Sequence, residues 1–69
     1  MLDLYVKDGC PHCRNQIEQL EQEGLPYRLH NVSSDRAALK EAKEKYGAGI
    51  VPVLVKNGKV KSIGYKGLG

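Results

Sequence analysis

The chain has 69 residues, of which 41% are hydrophobic and 28% charged, the balance of one soluble domain near the size at which a single core is only marginally sufficient. No apolar run approaches the roughly 20 residues of a membrane-spanning helix, and the opening MLDLYVKDG has neither the cationic-then-apolar pattern of a secretory signal nor a lipidation motif, so the expected compartment is the cytoplasm. Eleven basic against eight acidic residues leave a formal charge of +3, and two cysteines are too few for the multi-bridge framework of small secreted domains.

In chain order, Leu2, Leu4 and Val6 alternate with Asp3 and Tyr5, the period of a first strand. From Pro11 to Glu23 the pattern is helical: Cys13, Ile17 and Leu20 recur at i, i+4 and i+7, and Gly24 supplies the stop. PYRLHNV alternates again as a second strand. Ser33 to Asp35 offer N-caps for a second helix running to Tyr46, with an apolar face of Ala38, Leu39, Ala42 and Tyr46, closed by Gly47. VPVLV and KVKSI flank Asn57-Gly58, a strong hairpin signal, which makes strands three and four antiparallel neighbours. The order is βαβαββ, and the first βαβ unit should have parallel strands and a right-handed crossover. The expected architecture is α/β, one domain over residues 1–69, with a mixed four-stranded sheet between helices. After Ile63, GYKGLG is too short and glycine-rich to add another helix.

The basic surplus is concentrated late, at Lys56, Lys59, Lys61 and Lys66. No aromatic side chains interleave these lysines, and lysines on an edge strand commonly serve to discourage edge pairing. Nucleic acid and membrane are therefore not among the expected partners.

The chemistry concentrates in KDGCPHCRN. Cys10 falls where the first helix begins, and Pro11 suits the first helical position, where a missing N–H has no intrahelical partner. Cys10 thus stands at the positive end of a helix, with Lys7 three residues upstream adding charge. Such surroundings favour thiolate, the nucleophilic form. Cys13 lies one turn later on the core-facing side, so its thiol should be less exposed and less ionised. This asymmetry suits a two-step exchange in which Cys10 attacks a disulfide and Cys13 resolves the mixed disulfide. His12 either donates a hydrogen bond or partial charge to the Cys10 sulfur or is a solvated residue of the helix start. The alternative chemistry is binding of a soft metal, or of an iron–sulfur cluster shared by two chains. A closed zinc site needs four ligands, and the second histidine, His30, reads as solvated among polar neighbours, so no metal ligand is assigned.

With strand, CPHC, helix, strand, helix and IVPVLV in place, the chain resembles the glutaredoxins, the small members of the thioredoxin-fold superfamily, from Leu2 to Leu68. The shared motifs are C-P-x-C opening the first helix, a lysine three residues before it, and a Val-Pro pair heading the third strand. The resemblance implies a thioredoxin-like three-layer fold in which the family's C-terminal helix is absent. That absence should expose apolar surface from Leu4, Ile17 or the hairpin, and it implies a monomer or weak homodimer.

The resemblance also implies roles. Cys10 matches the nucleophile and Cys13 the resolving cysteine, with Pro11 and His12 between them. Val51 matches the residue whose main chain pairs with a bound peptide or glutathione, Pro52 a cis-proline beside the cysteines, and Lys7 a lysine that meets a glutathione carboxylate. Gly64 and Tyr65 match the glycine-containing stretch after strand four. The implied activity is thiol-disulfide oxidoreduction on protein or low-molecular-weight disulfides, without a prosthetic group and with glutathione as a possible co-substrate. His12 departs from the tyrosine commonest at its position. Lys66 and Gly67 replace the acidic or hydroxyl pair that holds the amino end of glutathione, a pattern similar to the redoxins that serve ribonucleotide reductase and are recharged by thioredoxin reductase. The electron source is therefore expected to be glutathione or thioredoxin reductase.

Overall fold

Apolar residues on both sides carry the first strand into the middle of a sheet. In the computed structural model, which describes residues 2–64, β1 (Leu2–Val6) lies between β2 (Tyr27–Asn31) and β3 (Val53–Lys56), and β4 (Lys59–Ile63) completes the order β2-β1-β3-β4. β1 is parallel to β2, with Leu4 opposite Leu29, and antiparallel to β3, with Leu4 opposite Leu54. This is the expected mixed sheet.

Among the described residues, each face of the sheet carries one helix. Leu2, Leu4 and Val6 pack with Leu54 against Cys13 and Leu20 of α1 (Pro11–Gln22). Tyr5, Val53 and Val55 pack on the other face with Ala38 of α2 (Arg36–Lys40) and with Ala42. Alternation alone assigns Tyr5 to the side of Asp3. It does not reveal that this side is covered as well, and Tyr5 is only 2% exposed. Leu4, one of the residues expected to expose apolar surface, is fully buried because α1 covers it. The hairpin does expose Val60 and Ile63, and Ile17 is half-buried.

The helix ends follow local chemistry. At the end of α1, Gly24 has φ +68°. Its N–H donates to Glu21 O at 3.1 Å, and the Leu25 N–H donates to Leu20 O at 3.0 Å. These paired bonds satisfy the last carbonyls in the way that favours glycine after a helix. Asp35 caps α2, its carboxylate accepting from the N–H groups of Ala37 and Ala38. The second helix does not continue as α-helix to Tyr46: residues Glu41–Lys45 form a π-helical turn. The wider turn coincides with contacts that a sequence period cannot specify. Glu41 accepts a hydrogen bond from the Tyr5 hydroxyl, and the Tyr46 ring tilts against Tyr5 at 5.8 Å. At the hairpin, Asn57 and Gly58 both have positive φ (51° and 81°), the backbone that an Asn-Gly turn supplies at least cost.

His30, read as solvated, is half-buried. Its Nε2 lies 3.0 Å from Asp3 Oδ1 and its ring stacks on Tyr5 at 4.7 Å. Arg28 completes the cluster with two hydrogen bonds to the Asp3 carboxylate. Parallel pairing causes this: Asp3 is opposite Arg28 and Tyr5 is opposite His30.

Candidate active site

The strand-to-helix turn after β1 builds the site. Cys10 is the N-cap of α1, with extended backbone (φ −95°, ψ 109°), and its Sγ accepts the Cys13 N–H at 3.3 Å. Pro11 occupies the start of the helix as expected. Cys13 comes one turn later, so its thiol points back toward Cys10 from the core side. Both cysteines are free.

Their environments push the two thiols apart. Burial opposes charge on Cys10, but the Cys13 thiol, the N–H groups of Cys13 and His12, and the Lys7 ammonium together outweigh it, and the net direction is downward. For Cys13, burial leads and its bond to the Cys10 sulfur adds to it. The Lys7 backbone and charge oppose weakly, and the thiol is pushed up to about 11. Cys10 is thus the sulfur that ionises first, in keeping with hydrogen bonds stabilising the charged form. His12 reaches Cys10 through its backbone N–H. Its half-buried imidazole makes no hydrogen bond among the described residues.

The loop ahead of Cys10 is pinned by side chains that sequence reasoning missed. Asn31 Nδ2 donates to Asp8 Oδ1 at 2.8 Å, and the Asp8 N–H donates to Ser33 Oγ at 2.9 Å. Asn31 Oδ1 in turn accepts the Ser33 N–H at 2.9 Å. The loop before the cysteine and the turn before α2 therefore hold each other. Asp8-Gly9 and Asn31 are recognisable as turn residues, but their pairing is a contact between segments far apart in the chain.

The remaining expected residues gather around this turn. The Val51–Pro52 peptide is cis. Val51 is half-buried and packs against both core clusters, including the one that holds Cys10 and Cys13. Its main-chain N–H and C=O make no hydrogen bond among the described residues. Gly64 is buried, and its N–H donates to Pro52 O at 2.7 Å, so the end of β4 is tied to the proline. Lys7 is exposed. Tyr65, Lys66, Gly67 and Leu68 lie outside the described residues.

A cleft of about 400 Å³ opens over both cysteines, with Lys7 and Arg14 at its rim and Ile17 and Leu29 in its wall. Among the described residues no three Cys, His, Asp or Glu side chains converge as metal ligands. Cys10 and Cys13 alone fall short of a closed tetrahedral site within one chain. Nor is any helix among the described residues long and apolar enough to cross a membrane.

The glutaredoxin family profile matches residues 2–61. The chain belongs to the glutaredoxin family. Among solved structures, the thioredoxin-like protein BC3987 superimposes with a TM-score of 0.89 at 26% identity, covering 94% of this chain and 88% of that one. The glutaredoxin grx-1 of Archaeoglobus fulgidus gives a TM-score of 0.77 at 28% identity, covering 93% and 74% respectively. These neighbours show the thioredoxin-like fold. The chain is also similar to the global transcriptional regulators Spx of Listeria innocua and Listeria monocytogenes, 36% identical over 44 residues. That alignment covers 64% of this chain and 34% of theirs, so the chain spans about a third of the length of the curated relatives it matches.

Proposed function

We propose that the protein is a thiol-disulfide oxidoreductase that reduces protein or low-molecular-weight disulfides by dithiol exchange. The observation that carries the reading is the opposed pair of thiols at one helix start. Cys10 caps the helix and favours thiolate, while Cys13 sits beneath it and keeps its proton.

The exchange proceeds in two displacements. The Cys10 thiolate attacks one sulfur of the substrate disulfide. A bond forms between Cys10 Sγ and that sulfur, the substrate S–S bond breaks, and the departing thiolate takes a proton from solvent. Cys13 then loses its proton and attacks Cys10 Sγ, which breaks the mixed disulfide and releases the second substrate thiol. Two electrons pass to the substrate, and the protein is left with a Cys10–Cys13 disulfide. An external thiol donor must reduce that disulfide to close the cycle.

Val51 would pair its main chain with the substrate backbone beside the cis Pro52 and the Gly64 tied to it, and Lys7 would meet a substrate carboxylate. Tyr65 would complete the site. The electron source would be glutathione or thioredoxin reductase, the compartment the reducing cytoplasm, and the working species a monomer or weak homodimer.

Cys10→Ser should abolish disulfide reduction, whereas Cys13→Ser should accumulate a mixed disulfide visible by intact-mass measurement. Full activity in Cys10→Ser would refute the assignment. The donor is identified by following NADPH consumption in two coupled assays, one with glutathione and glutathione reductase, the other with thioredoxin reductase. Silence in both, together with bound metal or cluster absorbance after anaerobic purification, would favour the metal-binding alternative.

A further inference from the structure

Val51 lines a second, smaller pocket of about 130 Å³. Its walls are aliphatic: Val32, Leu39, Ala42, Ala48, Ile50 and Val51. An apolar cavity of roughly 150 Å³ is enough to hold a benzene-sized group, so this one matches a single aliphatic side chain.

Three observations connect it to a substrate. First, Ile50 is 45% exposed at the pocket wall, a large apolar side chain that contributes little to the core. Second, Lys7 lines both this pocket and the cleft over the cysteines, so the two adjoin at that residue. Third, among the described residues the charged lining consists of Lys7 and Lys43, and neither is in an ion pair there. Val51, whose main chain makes no hydrogen bond among the described residues, lines this pocket and packs against the cluster that holds Cys10 and Cys13. A polypeptide paired there in extended form would send successive side chains to opposite sides.

Resting on the oxidoreductase reading above, we propose that this pocket is a side-chain subsite, and that the preferred substrate is a polypeptide disulfide with an aliphatic residue and a carboxylate close to its reacting cysteine. The aliphatic group fills the pocket, and the carboxylate meets Lys7 or Lys43. A low-molecular-weight disulfide without such a side chain leaves the pocket empty and gains nothing from it.

The test uses pre-reduced protein in single turnover, with short peptides whose one cysteine is in mixed disulfide with mercaptoethanol. Leu or Ser is placed in turn at each position within two residues of that cysteine, with Glu or Lys beside it, and hydroxyethyl disulfide serves as the reference substrate. A Leu peptide should react about 10-fold faster than its Ser counterpart at one position, the scale of a good apolar pocket contact, and Glu should be preferred to Lys beside it. Gly49→Leu, at a lining position where an added Cβ meets no atom within 4 Å and a side chain is accommodated, should bring the Leu-to-Ser ratio toward one by narrowing the pocket. Ile50→Ser should do the same by removing a wall. Lys43→Glu should reverse the preference for Glu over Lys. Ratios within each variant cancel any general loss of activity, and a thermal melt of each confirms that it folds.

Reaction with hydroxyethyl disulfide but equal rates for Leu and Ser at every position would overturn the subsite alone. A Leu preference that survives both pocket variants would do the same. No reaction with any disulfide would overturn the oxidoreductase reading and the subsite with it.

Discussion

Replacing Cys13 by alanine tests the electrostatics of the site directly. In the native protein the Cys10 sulfur is met by the Cys13 thiol, the N–H groups of Cys13 and His12, and the charge of Lys7. Cys13→Ala deletes only the thiol donor and leaves the backbone bond at 3.3 Å in place. A hydrogen bond to a charged group contributes about 1.5–3 kcal/mol, and about 1.4 kcal/mol corresponds to one unit of pKa. The Cys10 pKa should therefore rise by roughly one to two units. Cys13→Ser keeps an O–H donor at the same place and should shift it by much less. The assay is thiolate absorbance against pH on the reduced single-cysteine proteins, cross-checked by the pH dependence of iodoacetamide alkylation. A Cys10 pKa that is unchanged or lowered in Cys13→Ala would refute the account, as would equal shifts in the alanine and serine variants.

Stability should depend on pH through the same two sulfurs. Cys10, depressed in the fold, contributes stability that is present above the unfolded thiol value and lost as pH falls through its folded value. Cys13, raised, contributes stability that is present below the unfolded value of 9.0 and lost as pH rises toward about 11. Urea denaturation of the reduced protein should show stability falling across that upper window, and a profile that does not change in Cys13→Ala would count against it. Leu4→Ala should cost about 2–5 kcal/mol, because Leu4 is fully buried under α1. For a domain of this size each kcal/mol shifts Tm by about 4–8 °C, so the melting temperature by circular dichroism should fall by about 8–40 °C, and a cooperative melt near that of the parent protein would show that α1 does not cover it. Asn31→Ala removes the bonds to Asp8 and to the Ser33 N–H and should cost about 1–2 kcal/mol. It should also lower kcat/KM for disulfide reduction by loosening the loop ahead of Cys10, and unchanged kinetics would show that this pinning does not position the cysteine.

The cysteine pair is legible from sequence because everything that makes it asymmetric is local. A strand, a short loop, Cys10 as cap, Pro11 at the first turn and Cys13 one turn on all lie within a dozen residues. Helix periodicity alone says that Cys13 faces the core, while the structure buries Cys10 in the same cluster. Gly24, Asp35 and Asn57-Gly58 are readable for the same reason: each acts on backbone groups within a few positions of itself. The failures share the opposite property. Leu4 could be expected to lie bare and His30 to be solvated only while their cross-strand and cross-layer neighbours were unknown. The second helix could be extended as α-helix to Tyr46 only while Tyr5 was not known to reach Glu41.

Sequence by itself determined the order of elements, the stop of the first helix at Gly24, the N-cap choices of the second, the hairpin and the place of the two cysteines at the start of the first helix, since each rests on interactions within a turn or two of chain. Only the tertiary structure decided what surrounds them. Gly64 meets Pro52 because β4 folds back along β3, and Asp8 meets Asn31 because β1 and β2 end side by side. Asp3 gains Arg28 and His30 because parallel pairing sets that register. The pocket beside Val51 exists because α2 and the segment before β3 pack on one sheet face. Such contacts join residues a dozen or more positions apart, and no local pattern encodes which distant side chain will fill the space beside a given backbone.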